Sequence, residues 1–128
     1  MDKGKLIDLM GLIEGGGFSI TDVEMVQWGR SLVFECVYRT VSTTTAPDDP
    51  VIFQMVFHEC REMKYKVYAH ISLQERGTIS QVADIAELAL GQGGHRRDAH
   101  ILTTHFGATI SYGSISFHKD SQTYRWDA

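Results

Sequence analysis

Apolar positions change their spacing at Phe18. Before it, Leu6, Leu9, Met10 and Ile13 fall at i, i+3, i+4 and i+7, one face of a helix. Gly15, Gly16 and Gly17 follow, and glycine past the last turn is a common helix stop. The spacing predicts a short amphipathic helix over residues 2–14, too short to be stable unless it docks on something larger. From Phe18 the period is two. Phe18 and Ile20 open a strand that runs to Trp28 with an irregularity at Thr21–Asp22, and Gly29 makes a tight connection. In the next strand Leu32, Phe34, Cys36 and Tyr38 face one way and Glu35 and Arg39 the other, the alternation of a sheet with one wet face.

Residues 41–50, VSTTTAPDDP, are polar, hold both prolines and cannot make a core, so they read as a loop. A third strand carries Val51, Phe53, Met55 and Phe57 on one face. It passes through the charged corner His58–Glu62 into a fourth, where Met63, Tyr65 and Val67 alternate with Lys64, Lys66 and Tyr68. Gln74–Ser80 is a polar loop. Val82–Leu90 fits a helix by its alanines, leucines and Glu87, and fits a strand by length; strands on both sides favour the strand. After a turn at Gly91–Asp98, two strands are expected, Ala99–His105 and Ala108–His118. In the second, Ile110 and Tyr112 share one parity and Ile115 and Phe117 the other, which predicts a bulge at Gly113. Lys119–Ala128 reads as a polar tail with Tyr124 and Trp126 as docking residues.

The expected architecture is α+β, mostly antiparallel β. One N-terminal helix packs beside six or seven strands, curled or split into two layers. Residues 1–118 form a single globular domain and 119–128 its tail. A chain of 128 residues can bury roughly two-thirds of its unfolded surface, so it needs neither disulfide nor metal to fold. The net charge of −4 argues against nucleic acid as a partner, since phosphate backbones call for a dense basic stripe. No apolar run reaches the length of a membrane span, and residues 6–13 lack the features of a secretory signal. Two cysteines in apolar stretches, Cys36 and Cys60, complete a cytoplasmic reading without membrane contact.

Chemistry is harder to find. His95, His100 and His105 recur every five residues, but neither a strand nor a helix presents that spacing on one face. His58 and Cys60 could point the same way on a strand, as two metal ligands or as a base and a thiol. A zinc site needs three or four ligands, and a working thiol needs a positioned base. Gly91–Gly94 with His95, Arg96 and Arg97 could offer backbone N–H groups and positive charge to a phosphate, without matching any phosphate-loop pattern. Asp48–Asp49 reads as a solvated turn. No catalytic set can be assembled and no cofactor is implied.

The succession of helix, strand pair, VIFQMVFHECREMKYKVYAH, polar loop and closing ILTTHFGATISYGSISFHK resembles small uncharacterised bacterial β-rich families. Some of these are immunity-type proteins, which bind and block a partner toxin. The shared pattern spans residues 18–118: an apolar strand entering a polar corner, and an aromatic-rich final strand with a tyrosine–glycine pair like Tyr112–Gly113. The resemblance implies a protein partner and carries no catalytic residues. Trp28 at a turn, with Tyr124 and Trp126, are aromatics of the kind enriched in interfaces. The first functional expectation is therefore a non-catalytic interaction module. The second is a small-ligand or metal-binding protein, with or without enzymatic activity, built on the His58–Cys60 corner and the Gly91–Arg97 turn. A homodimer fits either.

Overall fold

A computed structural model describes residues 1–40, 50–68, 82–91 and 93–128. The expected loops at 41–50 and 74–80, with Asp48–Asp49, lie outside the described residues apart from Pro50. Helix α1 covers Lys3–Met10. Asp2 caps it, its Oδ1 accepting the Lys5 N–H at 3.0 Å. It ends earlier than expected because Gly11, ahead of Gly15–Gly17, already takes the left-handed conformation at φ 65° and closes the helix. The Leu12 and Gly11 N–H groups then reach back to the carbonyls of Ile7 and Asp8. Ile13 is consequently outside the helix and exposed, while Leu6 and Met10 are buried.

The strands are β1 Gly16–Val26, β2 Ser31–Thr40, β3 Val51–His58, β4 Glu62–Val67, β5 Ala83–Ala89, β6 Ala99–Thr103, β7 Phe106–Ser111, β8 Ser114–Lys119 and β9 Gln122–Asp127. The architecture is α+β with antiparallel pairing, as expected, but with nine strands rather than six or seven. Two of the additions have clear causes. Tyr112–Gly113 is a link between β7 and β8 rather than a bulge within one strand, which is why the apolar parity flips there. The expected polar tail contains β9, because Tyr124 and Trp126 alternate inward and pair across to Phe117 and Ile115 on β8. Val82–Leu90 holds a strand, and β1 has its register shift between Ile20 and Asp22.

The strand order is β4-β7-β6-β5-β1-β2-β3-β8-β9. This order requires the sheet to curl. β3 and β4 stand six places apart, about 29 Å in a flat sheet. The link from His58 to Glu62 reaches at most about 14 Å. β7 and β8 are also six places apart and are joined by Tyr112–Gly113 alone. Both crossings are made at one end of the fold, where the Gly113 N–H donates to the His58 carbonyl at 3.0 Å and the Arg61 N–H to that of Ser111 at 2.9 Å. The five-stranded half β1-β2-β3-β8-β9 thus folds over the four-stranded half β5-β6-β7-β4. Among the described residues, the seam between β1 and β5 has two residue pairs, Ser19–Asp84 and Ile20–Ala83.

The core lies between the halves. Phe34, Phe57 and Tyr112 stack edge to face through it, with ring centroids 5.4 and 5.0 Å apart. Helix α1 sits across one open side, inserting Leu6 and Met10. Lys3 Nζ donates to the Ala86 carbonyl on β5 and Lys119 Nζ to that of Met10, so the helix is tied to both halves. Its docking supplies the stability that its length cannot.

Candidate functional site

Two surfaces concentrate features that folding alone does not explain. The first is the tip of the β1–β2 hairpin. Gln27, Trp28 and Gly29 all have positive φ, at 54°, 62° and 94°. Two non-glycine residues in this region are unusual, and a bulky one is a strained choice for a turn. Trp28 gains no burial in return: its relative exposure is 103%. On the strand leading to it, Met25 is 61% exposed and Val23 also stands clear of the core. Beyond Ile20, no strand among the described residues pairs with the β1 edge that faces away from β2. The hairpin therefore presents an apolar tip.

The second surface is the outer face of β3, β8 and β9. Ile115 and Phe117 point to the core, so Ser114, Ser116 and His118 point outward. Register places Ser114 opposite His58 and Asp127, Ser116 opposite Val56 and Arg125, and His118 opposite Gln54 and Thr123. The imidazoles of His58 and His118 converge on one atom, with their Nε2 atoms 2.6 and 2.9 Å from Ser116 Oγ. His118 Nδ1 meets Thr123 Oγ1 at 3.2 Å, and Arg125 donates to Ser114 Oγ at 3.0 Å. Burial lowers the pKa of His58 below the usual imidazole value; the positive charge of Arg125 and the neighbouring His118 add to this, against a smaller opposing effect of Glu59. A serine beside an imidazole also suggests nucleophilic catalysis. Here the serine is only 4% exposed and covered by both rings, and each ring is placed by a hydroxyl rather than a carboxylate.

The sequence-derived residues separate. His58 is in the second surface, but Cys60 is not its partner: its Sγ approaches the Phe57 carbonyl at 3.6 Å and it packs against the core. Desolvation pushes its thiol pKa up, away from a reactive thiolate. The His58–Cys60 corner and the Gly91–Arg97 turn do lie at the same end, joined through Gly113 and Ala128. However, the amides of Gly91, Gly93, Gly94 and Arg96 are already engaged. Gly93 donates to the Asp127 carbonyl, and Gly94 and Arg96 donate to that of Ala128, at 3.1, 2.8 and 3.0 Å. Those four donors are not open to a phosphate, while His95, Arg96 and Arg97 remain exposed. Tyr124 and Trp126 pack against the core, and the Trp126 indole donates to the Gly91 carbonyl at 2.7 Å. His100 meets Thr109 on one strand face and His105 meets Thr104 in a turn, so the five-residue spacing builds no cluster.

No family model, curated protein or solved structure matches this chain.

Inference therefore rests on its own residues. Reading the sequence missed Ser116, His118, Thr123 and Arg125, and also Val23 and Met25. The outward alternation Ser114, Ser116, His118 was visible, but its meeting with His58 depends on strand register. An open groove of about 840 Å³ crosses the outer face of the four-stranded half, bordered by Lys3, Lys64, Lys66, Glu87, His100 and Leu102. Charges of both signs mix along it. No helix among the described residues is long and apolar enough to cross a membrane.

Proposed function

We propose that this chain is a non-catalytic protein-binding module that engages its partner through the β1–β2 hairpin, with Trp28 as anchor. The full exposure of Trp28 in a positive-φ turn carries the reading. A tryptophan there adds nothing to the core and raises the cost of the turn, whereas a partner's pocket would recover its large apolar surface. Met25 and Val23 extend the apolar contact. An immunity or regulatory role, in which one protein blocks another, is the class of activity this surface suits. Tyr124 and Trp126 serve the fold in this reading, not the interface.

The test compares wild-type protein and Trp28→Ala, each tagged and purified from the native host. A protein recovered in stoichiometric amount with the wild type should bind the variant about 30-fold more weakly, the scale of a truncated interface anchor. The two melting curves should superimpose. Equal affinity for both forms would refute the hairpin as the contact, and purification without any protein partner would refute the class. If the recovered partner is a second copy of the chain, sedimentation must show a dimer that Trp28→Ala dissociates.

A further inference from the structure

We propose that His58, Ser116 and His118 form a proton-coupled switch on the outer face of the five-stranded half: the two imidazoles take up one proton with their hydrogen bonds intact, and a second proton breaks them. The proposal is independent of the hairpin. Two rings from neighbouring strands meet at one hydroxyl, with His58 Nε2 at 2.6 Å and His118 Nε2 at 2.9 Å from Ser116 Oγ. Beyond His118 the contacts continue to β9, where Thr123 Oγ1 meets its Nδ1 at 3.2 Å. They run in series across β3, β8 and β9, and each hydroxyl in the series has a single hydrogen to give.

That single hydrogen fixes how the rings are protonated. In the neutral pair Ser116 accepts from one Nε2–H and donates to the other Nε2, so the two imidazoles hold opposite tautomers. A first proton costs no contact. Placed on His118, it leaves Nε2–H donating to Ser116 and Nδ1–H donating to Thr123, while Ser116 still donates to His58. Placed on His58, it is met by the same bonds running in the opposite sense.

The second proton has no such arrangement. Both Nε2 atoms then donate to one oxygen, and the Ser116 hydrogen loses its acceptor at a residue only 4% exposed. The two positive rings also stand no further apart than the bonds that join them to that oxygen. Arg125 on β9 adds a third positive charge, against Glu59 at the corner. Of the other charged groups nearby, Glu35 on β2 is engaged by the Gln54 amide at 2.7 Å, Asp127 lies opposite Ser114, and Lys119 is turned to the Met10 carbonyl. Burial, Arg125 and His118 together hold the His58 pKa down, so His58 is the ring that receives the second proton and swings away from Ser116. Acid thereby opens a face that the neutral and singly charged pair keeps closed.

Nitrogen-15 NMR of the histidine rings in the full chain tests the switch at two levels. At pH 8 the Nε2–H fractions of His58 and His118 should sum to one; two rings that both hold Nε2–H, or that both lack it, would overturn the proposal. On titration down to pH 4 the pair should take up its protons in two steps separated by more than about one pH unit. His118→Gln should raise the His58 midpoint by about one pH unit. His100→Gln, on the other half of the sheet, should leave it in place. A His58 midpoint unmoved in His118→Gln, or moved equally in His100→Gln, would likewise overturn the proposal. Amide spectra at pH 8 verify that each variant folds. Should His118→Gln not fold, the tautomers and the step separation of the wild type decide alone.

Discussion

The backbone N–H of Gly91 donates to the hydroxyl oxygen of Tyr112 at 2.6 Å, at the end of the fold where the two crossings are made. The same glycine accepts the Trp126 indole N–H, and a Cβ placed on it would overlap the Ala128 backbone. Three segments distant in sequence therefore meet at one residue that has to be glycine.

Tyr112→Phe tests that junction. It leaves a buried N–H without a partner, which costs about 1–3 kcal/mol. The urea midpoint should fall while the slope stays unchanged. Tyr124→Phe, which removes a hydroxyl bonded to Gln122 at an exposed site, should stay within about 0.5 kcal/mol of wild type. Equal losses in the two variants would mean that the Gly91 contact has no special weight.

Deletion of residues 122–128 should destabilise the fold rather than trim a tail. It uncovers the edge of β8 and removes the packing of Tyr124 and Trp126. At about 1.5–3 kcal/mol for a fully buried large apolar side chain, and less for these half-buried ones, the loss is about 3 kcal/mol. The melting temperature should drop by about 10 °C or more, read by circular dichroism. An unchanged melt would show that β9 is dispensable.

Acid should weaken the protein partly through His58. Its folded-state pKa lies below the unfolded value, so the unfolded chain takes up the proton first as pH falls. The stability from its neutral form is complete above the ordinary histidine pKa of about 6.5 and is lost as pH drops through the lower folded value. Urea midpoints at pH 7.5 and 5.0 should differ more for wild type than for His58→Gln. The same difference in both would remove His58 as a contributor.

Both thiols should react slowly in the folded state. Cys36 is fully buried with its thiol pKa pushed far up by desolvation, and Cys60 is half-buried with its own pushed up for the same reason. With Ellman's reagent at pH 8, Cys60 should label more slowly than a free thiol and Cys36 only after unfolding. Immediate labelling of Cys60 would restore it as a reactive site.

The strand pairs were legible wherever burial on one face forces alternation. Leu32, Phe34, Cys36 and Tyr38 announce β2, and their partners Phe57, Met55, Phe53 and Val51 announce β3. The count of strands was not legible, because a parity flip at Gly113 has two physical causes, a bulge and a crossing to another part of the sheet. Only the position of β7 and β8 in the strand order separates them. The helix end was misplaced for a related reason: four glycines follow Met10 within seven residues, and only the left-handed conformation of Gly11 shows which one stops the helix. His58 stands out in the sequence, but its neighbours in space are not its neighbours along the chain. Ser116 and His118 lie about sixty positions away and reach it across a strand pair. Trp28 was legible as a turn aromatic, whereas its complete exposure depends on how far the hairpin projects.

The two crossings also govern how this chain reaches its native state. β3 waits for β8, β4 waits for β7, and β1 closes on β5, so nearly every layer of the core depends on segments made much later. Loop closure over such separations must be completed before hydrophobic contacts repay it, which places the domain among slow folders, on the scale of milliseconds to seconds. Until β8 arrives, β3 is an unprotected apolar edge on a nascent chain. Its yield in the cell is set by the race between that arrival and aggregation, a kinetic burden written into the strand order itself.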